Sequence, residues 1–122
     1  MHKALIVDDS SAVRMIISKM LSSWGIESIQ AKDGEEGFNY LHSYSGVTMA
    51  FVDWNMPGMN GLEFVKLVHA APKFKDIKLI MVTTETELPQ ISSALEAGVS
   101  EYIMKPFTKE IFQEKLNMIG IN

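Results

Sequence analysis

The sequence predicts an α/β protein of the (βα)5 type, in which helices cover both faces of a doubly wound, parallel five-stranded sheet. Five short apolar runs alternate along the chain with five segments of helical period. Three of these runs are apolar without interruption, a pattern typical of strands that are buried on both faces. Right-handed crossovers between successive parallel strands would place helices on the two sides of one sheet.

The strands are predicted from the apolar runs. They span residues 3–7, 27–31, 49–52, 78–82 and 101–104. The uninterrupted apolar stretches are residues 4–7, 49–52 and 79–82. We expect these three to lie inside the sheet, covered by helices on both sides.

The first two helices are indicated by apolar spacing and by boundary residues. Apolar side chains recur at helical spacing from Val13 to Trp24, and Gly25 follows as the expected C-cap. The second helix begins at Asp33-Gly34-Glu35-Glu36, which is similar to a capping box.

The remaining three helices follow the same logic. Pro89 lies in the first turn of the fourth helix, Gly98 lies just past its end, and Thr108 is the expected cap of the fifth. The apolar positions that mark these helices are Leu62, Val65 and Val68; Leu88, Ile91 and Leu95; and Phe112, Leu116 and Ile119.

Length favours one domain, spanning residues 1–122. We expect this domain to be a monomer in the cytoplasm. The chain has no cysteine, which excludes disulfides and thiolate metal sites and is compatible with a reducing compartment. No apolar run is long enough to span a bilayer, so no membrane association is expected. The net charge is −4 and Lys and Arg form no cluster, which argues against nucleic acid as a partner.

The first, third, fourth and fifth predicted strands are followed by polar residues of types that bind ligands. Asp8-Asp9 follows the first strand, Asp53 the third, Thr83-Thr84-Glu85 the fourth and Lys105 the fifth. Each has an ordinary structural role available, such as a helix cap, a turn or a solvated end. Because ligands of doubly wound sheets bind at the carboxyl ends of the strands, their joint occurrence there favours a ligand site.

The residue types at this edge predict phosphoryl chemistry with a metal ion. Three neighbouring carboxylates repel one another, so the site must hold a proton or a cation. Their ligand atoms are all oxygen, which fits Mg²⁺, or Mn²⁺, better than zinc. Lys105 and Thr83 would stabilise charge on a transferring phosphoryl group, and a carboxylate nucleophile would form an acyl phosphate.

With these residues the whole chain resembles the receiver domain of bacterial response regulators. The resemblance rests on the acid pair after the first strand, on Asp53, on Thr83 and on Lys105-Pro106. The stretches Asp53-Trp54-Asn55-Met56-Pro57 and Lys105-Pro106-Phe107-Thr108 are most similar to the stand-alone chemotaxis receivers. The resemblance implies a flavodoxin-like fold with strand order 2-1-3-4-5.

The resemblance also implies a function and a set of metal ligands. Asp53 would accept a phosphoryl group from the phosphohistidine of a histidine kinase, in a regulatory protein rather than an enzyme. Asp9, Asp53 and the backbone carbonyl of Asn55 would ligate Mg²⁺, and Asp8 would act through a bound water.

Other residues would bind the phosphoryl group and transmit its presence. Lys105, in a cis peptide bond with Pro106, would pair with the phosphoryl oxygens. Phosphorylation would draw Thr83 towards Asp53, and Tyr102 would turn into the vacated space. This would switch the face formed by the fourth helix, fifth strand and fifth helix, to which an output protein such as the flagellar motor switch, or a phosphotransfer protein, would bind.

Three residues are candidates for tuning the loss of the phosphoryl group. Asn55 and Glu85 would flank it, as in the chemotaxis receivers. Thr84 departs from the family pattern, in which a smaller residue is usual. Because threonine is stiff about χ1, we expect Thr84 to narrow the approach to Asp53 and to slow both phosphotransfer and hydrolysis.

Other functions remain alternatives for this sequence. An FMN-binding electron carrier would need a Ser/Thr/Gly-rich loop where Asp8-Asp9 stands. A Mg²⁺-dependent aspartyl phosphatase would need a second acid two positions after the nucleophile, where the chain has Asn55. A receiver could also be a phosphorelay shuttle that passes its phosphoryl group to another histidine protein.

Overall fold

A computed structural model describes residues 2–84 and 88–121, and it has the predicted alternation of strands and helices. The elements are β1 (Lys3–Val7), α1 (Ser11–Ser23), β2 (Glu27–Ala31), α2 (Gly34–Ser43), β3 (Met49–Val52), α3 (Gly61–Ala70), a 3-10 helix (Pro72–Phe74), β4 (Lys78–Thr83), α4 (Leu88–Ala97), β5 (Glu101–Met104) and α5 (Lys109–Met118).

All strand pairs are parallel, and the order β2-β1-β3-β4-β5 confirms the predicted topology. The chain leaves β1 towards β2 on one side and returns to β3 on the other, so strand order reverses between β1 and β3. Val7 and Val52, the last residues of these two strands, are paired in register. The residues that follow Val7 and Val52 therefore lie next to each other, at the place where doubly wound sheets bind ligands.

The sheet is buried on both faces, as its apolar strands predict. In β1, Leu5 and Val7 face a cluster built with α2, α3 and α4, while Ala4 and Ile6 face a second cluster built with α1 and α5. Because successive side chains of a strand point to opposite faces, an uninterrupted apolar strand is the sequence that serves both clusters.

Two elements differ from the prediction. β4 is one residue longer than expected, because Thr83 pairs with Met104 and its carbonyl accepts a hydrogen bond from the Lys105 amide at 3.0 Å. The 3-10 helix was not predicted. It begins with Pro72, whose fixed φ suits the first position of a helical turn.

Side-chain oxygens cap the N-termini of α1, α2, α3 and α5. Thr108 caps α5 as predicted, accepting from the Ile111 amide at 3.1 Å. At α2 the capping box is only half formed, because the Glu36 carboxylate bonds the Lys32 amide, one residue before the cap. The complete box lies at α3, where Asn60 and Glu63 bond each other's backbone amides.

Not every periodic apolar residue is buried. Ile16 on α1 and Leu95 on α4 are exposed, although both belong to the apolar spacing that predicted their helices. Ile16 lies about 100° around the helix from the buried Ile17, which turns it away from the sheet. Among residues 2–84 and 88–121, no helix has the length and apolar character that a membrane span requires.

Candidate functional site

The site begins with two adjacent carboxylates at the ends of the central strands. Asp8 follows β1 and Asp53 follows β3, and the register that pairs Val7 with Val52 makes them neighbours. The Asp53 amide continues the ladder by donating to the Val7 carbonyl at 2.9 Å. Asp8 is 2% exposed and Asp53 is 7% exposed, so both acids are buried in a largely apolar frame.

A third carboxylate completes an acidic cluster. Asp8, Asp9 and Asp53 each offer one oxygen, and these oxygens lie within 4.8 Å of one another. Asp9 is exposed. The Asp8 carboxylate also accepts a hydrogen bond from the Ser10 amide at 2.9 Å. The prediction that these acids converge on one edge of the sheet is therefore confirmed.

Lys105 brings a positive charge to the same place. Its Nζ lies 2.9 Å from Asp8 Oδ2 and 3.4 Å from Asp53 Oδ2, and the side chain is mostly buried. The Lys105–Pro106 peptide bond is cis, as the resemblance implied. Lys105 thus reaches from the end of β5 into the acidic cluster.

The electrostatic balance at Asp53 is set mainly by burial. Burial raises the pKa of Asp53 above its ordinary value, because the charged form loses its hydration. The positive charge of Lys105 lowers the pKa, the negative charge of Asp8 raises it, and hydrogen bonds from Thr83 and Lys105 lower it again. Since the net effect is a raised pKa, Lys105 alone does not offset the cost of a buried carboxylate.

The donor set fits a hard divalent cation. Three carboxylate oxygens converge, and one lysine partly offsets their charge, which leaves the cluster net negative. All of the converging ligand atoms are oxygens, the ligands that Mg²⁺ and Mn²⁺ prefer. A bound cation would relieve the repulsion among the carboxylates.

Thr83 and Tyr102, the two residues predicted to form the switch, are both buried. Thr83 is fully buried and already hydrogen-bonds the Asp53 carboxylate. Tyr102 is buried, at 8% exposure, in the apolar cluster that also contains Ala94 of α4. Tyr102 pairs with Met81 in the sheet, and burying its ring adds apolar area to that cluster. The expectation that phosphorylation draws Thr83 towards Asp53 and lets Tyr102 turn inward stays a prediction.

The three residues predicted to tune phosphoryl loss are less closely described. Asn55 is exposed two positions after Asp53, and Thr84 is exposed directly after β4. Glu85 lies outside the described residues. Their effect on the lifetime of the phosphoryl group stays a prediction.

Sequence reasoning missed two residues that touch the site. The Arg14 Nη1 donates to the Asp8 carbonyl at 2.7 Å. At Gly61, an added Cβ would overlap the Asp53 carbonyl oxygen and lie 2.8 Å from Trp54 Cα. The available signals were that Arg14 is the only arginine and lies one turn after the acid pair, and that Gly61 occupies a helix start.

Comparison with known proteins agrees with this geometry. The family described as the response regulator receiver domain matches residues 4–117. The chemotaxis protein CheY1 of Helicobacter pylori is 45% identical over 118 residues, covering 96% of this chain and 95% of that protein. A CheY homologue of Campylobacter jejuni is 46% identical over 115 residues, covering 93% and 88%.

Solved structures give the same result at the level of the fold. The chemotaxis protein CheY4 of Vibrio cholerae superposes with a TM-score of 0.91 at 33% identity, covering 98% of each chain. A receiver domain protein of Methanospirillum hungatei superposes with a TM-score of 0.88 at 29% identity, covering 98% of this chain and 93% of that one. The family match spans nearly the whole chain. The chain therefore belongs to the response regulator receiver domain family.

Proposed function

We propose that the chain is a phospho-acceptor of a two-component system, in which Asp53 takes a phosphoryl group from the phosphohistidine of a histidine kinase with the help of Mg²⁺. The observation that carries the proposal is the constellation around Asp53. This buried carboxylate has two further acids within 4.8 Å and a lysine Nζ at 3.4 Å. Two adjacent buried carboxylates, Asp8 and Asp53, cost stability, which a purely structural role does not explain.

The residues divide the work of phosphoryl transfer. The Asp53 carboxylate would attack phosphorus, so that a new O–P bond forms while the P–N bond to the donor imidazole breaks. Lys105 would stabilise the charge on the phosphoryl oxygens, and Thr83 would donate a hydrogen bond to one of them. Mg²⁺, held by Asp9, Asp53 and the Asn55 carbonyl with Asp8 acting through water, would supply further positive charge when bound.

The output that we propose is chemotaxis, because the relatives that cover nearly the whole chain are chemotaxis proteins. The partner face would be formed by α4, β5 and α5, where Leu95, Met104 and Ile111 are exposed apolar residues on three successive elements. The flagellar motor switch is the expected partner. The protein would be a cytoplasmic regulator that assists its own phosphorylation and dephosphorylation, rather than an enzyme.

The acceptor role is tested by labelling. Asp53→Asn should abolish labelling by acetyl phosphate or by a phosphorylated kinase, and a chelator should do the same to the parent. Asp76→Asn, on an exposed residue, is the matched control and should be labelled like the parent. Full labelling of a folded Asp53→Asn variant would refute the assignment. Transfer from the labelled chain to a second histidine protein would favour the phosphorelay shuttle over motor control.

A further inference from the structure

Arg14 joins three elements beside the acidic cluster. It lies in the first turn of α1, and its Nη1 donates to the carbonyl of Asp8 at 2.7 Å. Its Nε donates to the side chain of Gln30 on β2 at 3.3 Å. The side chain is half-buried, and Arg14 is the only arginine of the chain.

The contact with Arg14 adds a backbone hydrogen bond to those that the Asp8 carboxylate and amide make. The carboxylate of Asp8 is bound by the Ser10 amide and by Lys105, at 2.9 Å each. Its amide donates to the Ala31 carbonyl at 3.1 Å, and its carbonyl accepts from Arg14. Asp8 and Asp9 begin the turn into α1, so their carboxylates could relieve repulsion by rotating towards solvent. Fixing the peptide between them opposes that rotation.

We infer that Arg14 is a positioning residue of the acid site, which holds the Asp8 carbonyl so that the carboxylates of Asp8 and Asp9 stay directed at Asp53 and bind Mg²⁺ more tightly. This inference rests on the proposed function. Partners that orient metal ligands typically change metal affinity about 10- to 100-fold when removed. A planar guanidinium can bond Asp8 and Gln30 at once, which a lysine ammonium cannot do with the same geometry.

Positioning and charge predict opposite effects at this residue. A positive charge near the cluster repels a divalent cation, so if only its charge mattered, neutralising Arg14 would tighten Mg²⁺ binding. If Arg14 acts by positioning, neutralising it weakens Mg²⁺ binding in spite of that gain. The sign of the change therefore separates the two roles.

The test measures Mg²⁺ affinity in three variants by the fluorescence of Trp54, the neighbour of Asp53, in a Trp24→Phe background that removes the second tryptophan. Arg14→Gln removes the charge and the fork of donors, and Arg14→Lys keeps the charge. Lys19→Gln is the matched control, since it removes the same charge from an exposed position of α1. Unfolding by urea in a chelator verifies that each variant is folded.

We expect roughly 10-fold weaker Mg²⁺ binding in Arg14→Gln, clearly weaker binding in Arg14→Lys and no weakening in Lys19→Gln. In acetyl phosphate labelling, the half-saturating Mg²⁺ concentration should rise for Arg14→Gln while the rate at saturating Mg²⁺ stays near the parent value. Unchanged or tighter binding in a folded Arg14→Gln would overturn the inference.

Two further results keep the test decisive. If Arg14→Gln does not fold, Arg14→Lys decides in its place, and parental affinity in that variant overturns the inference. If the parent itself fails to bind Mg²⁺, the proposed function falls and this inference falls with it. If the parent binds Mg²⁺ and Arg14→Gln binds it with the same affinity, only the role of Arg14 is refuted.

Discussion

At the scale of single residues, the buried position of Asp53 disfavours the ionised form of its carboxyl group. Burial raises its pKa, so the folded state binds a proton more readily than the unfolded chain does. Its contribution to the free energy of unfolding is therefore fully present below the ordinary pKa of an aspartate. That contribution is lost as the pH rises through the raised pKa of the folded state.

This pH dependence of the free energy of unfolding gives a prediction for Asp53→Asn in the absence of metal. Asparagine does not titrate, so the variant should gain stability over the parent as the pH rises from roughly 4 to 7. We expect the free energy of unfolding of Asp53→Asn to exceed that of the parent at neutral pH, by a difference that grows as the pH rises. Urea unfolding in a chelator across this range measures it.

The control for this prediction is Asp76→Asn, whose exposed side chain should give no comparable pH-dependent gain. Adding Mg²⁺ should stabilise the parent and not Asp53→Asn, which closes the gap between them. A variant less stable than the parent at neutral pH would mean that attraction to Lys105, 3.4 Å away, outweighs the cost of burial.

At the scale of elements, the start of α3 fixes the backbone that carries Asp53. Gly61 is the first residue of this helix and packs directly on the Asp53 carbonyl, and its amide donates to the Trp54 carbonyl at 2.8 Å. An added methyl group would meet backbone atoms, which cannot move aside as a side chain can. Gly61→Ala should therefore cost about 1–3 kcal/mol of stability, the usual range for overpacking, and weaken Mg²⁺ binding.

Gly34→Ala is the matched control for Gly61→Ala. Gly34 is also the first residue of a helix, but its added Cβ would meet the flexible side chain of Met59, with Sδ at 2.9 Å. Both substitutions gain the same helix propensity, so the difference between them isolates the collision with the Asp53 backbone. Equal effects on thermal unfolding and on Mg²⁺ titration would contradict this account.

The elements themselves were largely predictable, and the exceptions have physical reasons. Apolar runs, helical spacing and boundary residues such as Gly and Thr identify every strand and every long helix, because they reflect local preferences. The extra residue of β4 and the capping box at Asn60 depend on partners that the fold brings together. Gly61 could be recognised only as part of a turn, since its contact with Asp53 belongs to the packed structure.

At the scale of the whole molecule, topology explains why the residues of the acid site were easier to predict than Arg14, which holds one of them in place. Polar residues after parallel strands must meet at one edge, so Asp8, Asp53 and Lys105 could be grouped from the sequence. The strand order came from the resemblance, because apolar patterns do not distinguish it. Arg14 was missed because its contacts with Asp8 and Gln30 depend on how α1 packs between the first two strands.

The proposed switch also involves the whole molecule, because it links Asp53 through Thr83 to β5. Thr83 bonds Asp53 and pairs with Met104, two residues beyond the buried Tyr102. A phosphoryl mimic can shift this arrangement only by its differential affinity for two states. Thr83 and Tyr102 already lie inward. We therefore expect the inward state to be populated without the mimic, which should only increase that population. If half the molecules were inward beforehand, partner binding would tighten only about twofold.

The final prediction concerns Tyr102 in the unphosphorylated chain. With fluorotyrosine incorporated, Tyr102 should be largely protected from a soluble paramagnetic agent, as expected at 8% exposure, while Tyr44, at 45% exposure, should be broadened strongly. Beryllofluoride with Mg²⁺ should increase the protection of Tyr102 slightly, leave Tyr44 unchanged and have no effect in Asp53→Asn. If Tyr102 is instead broadened like Tyr44 until beryllofluoride is added, the outward state dominates in solution. The mimic would then tighten partner binding by far more than twofold, because the competent fraction would start from a small value.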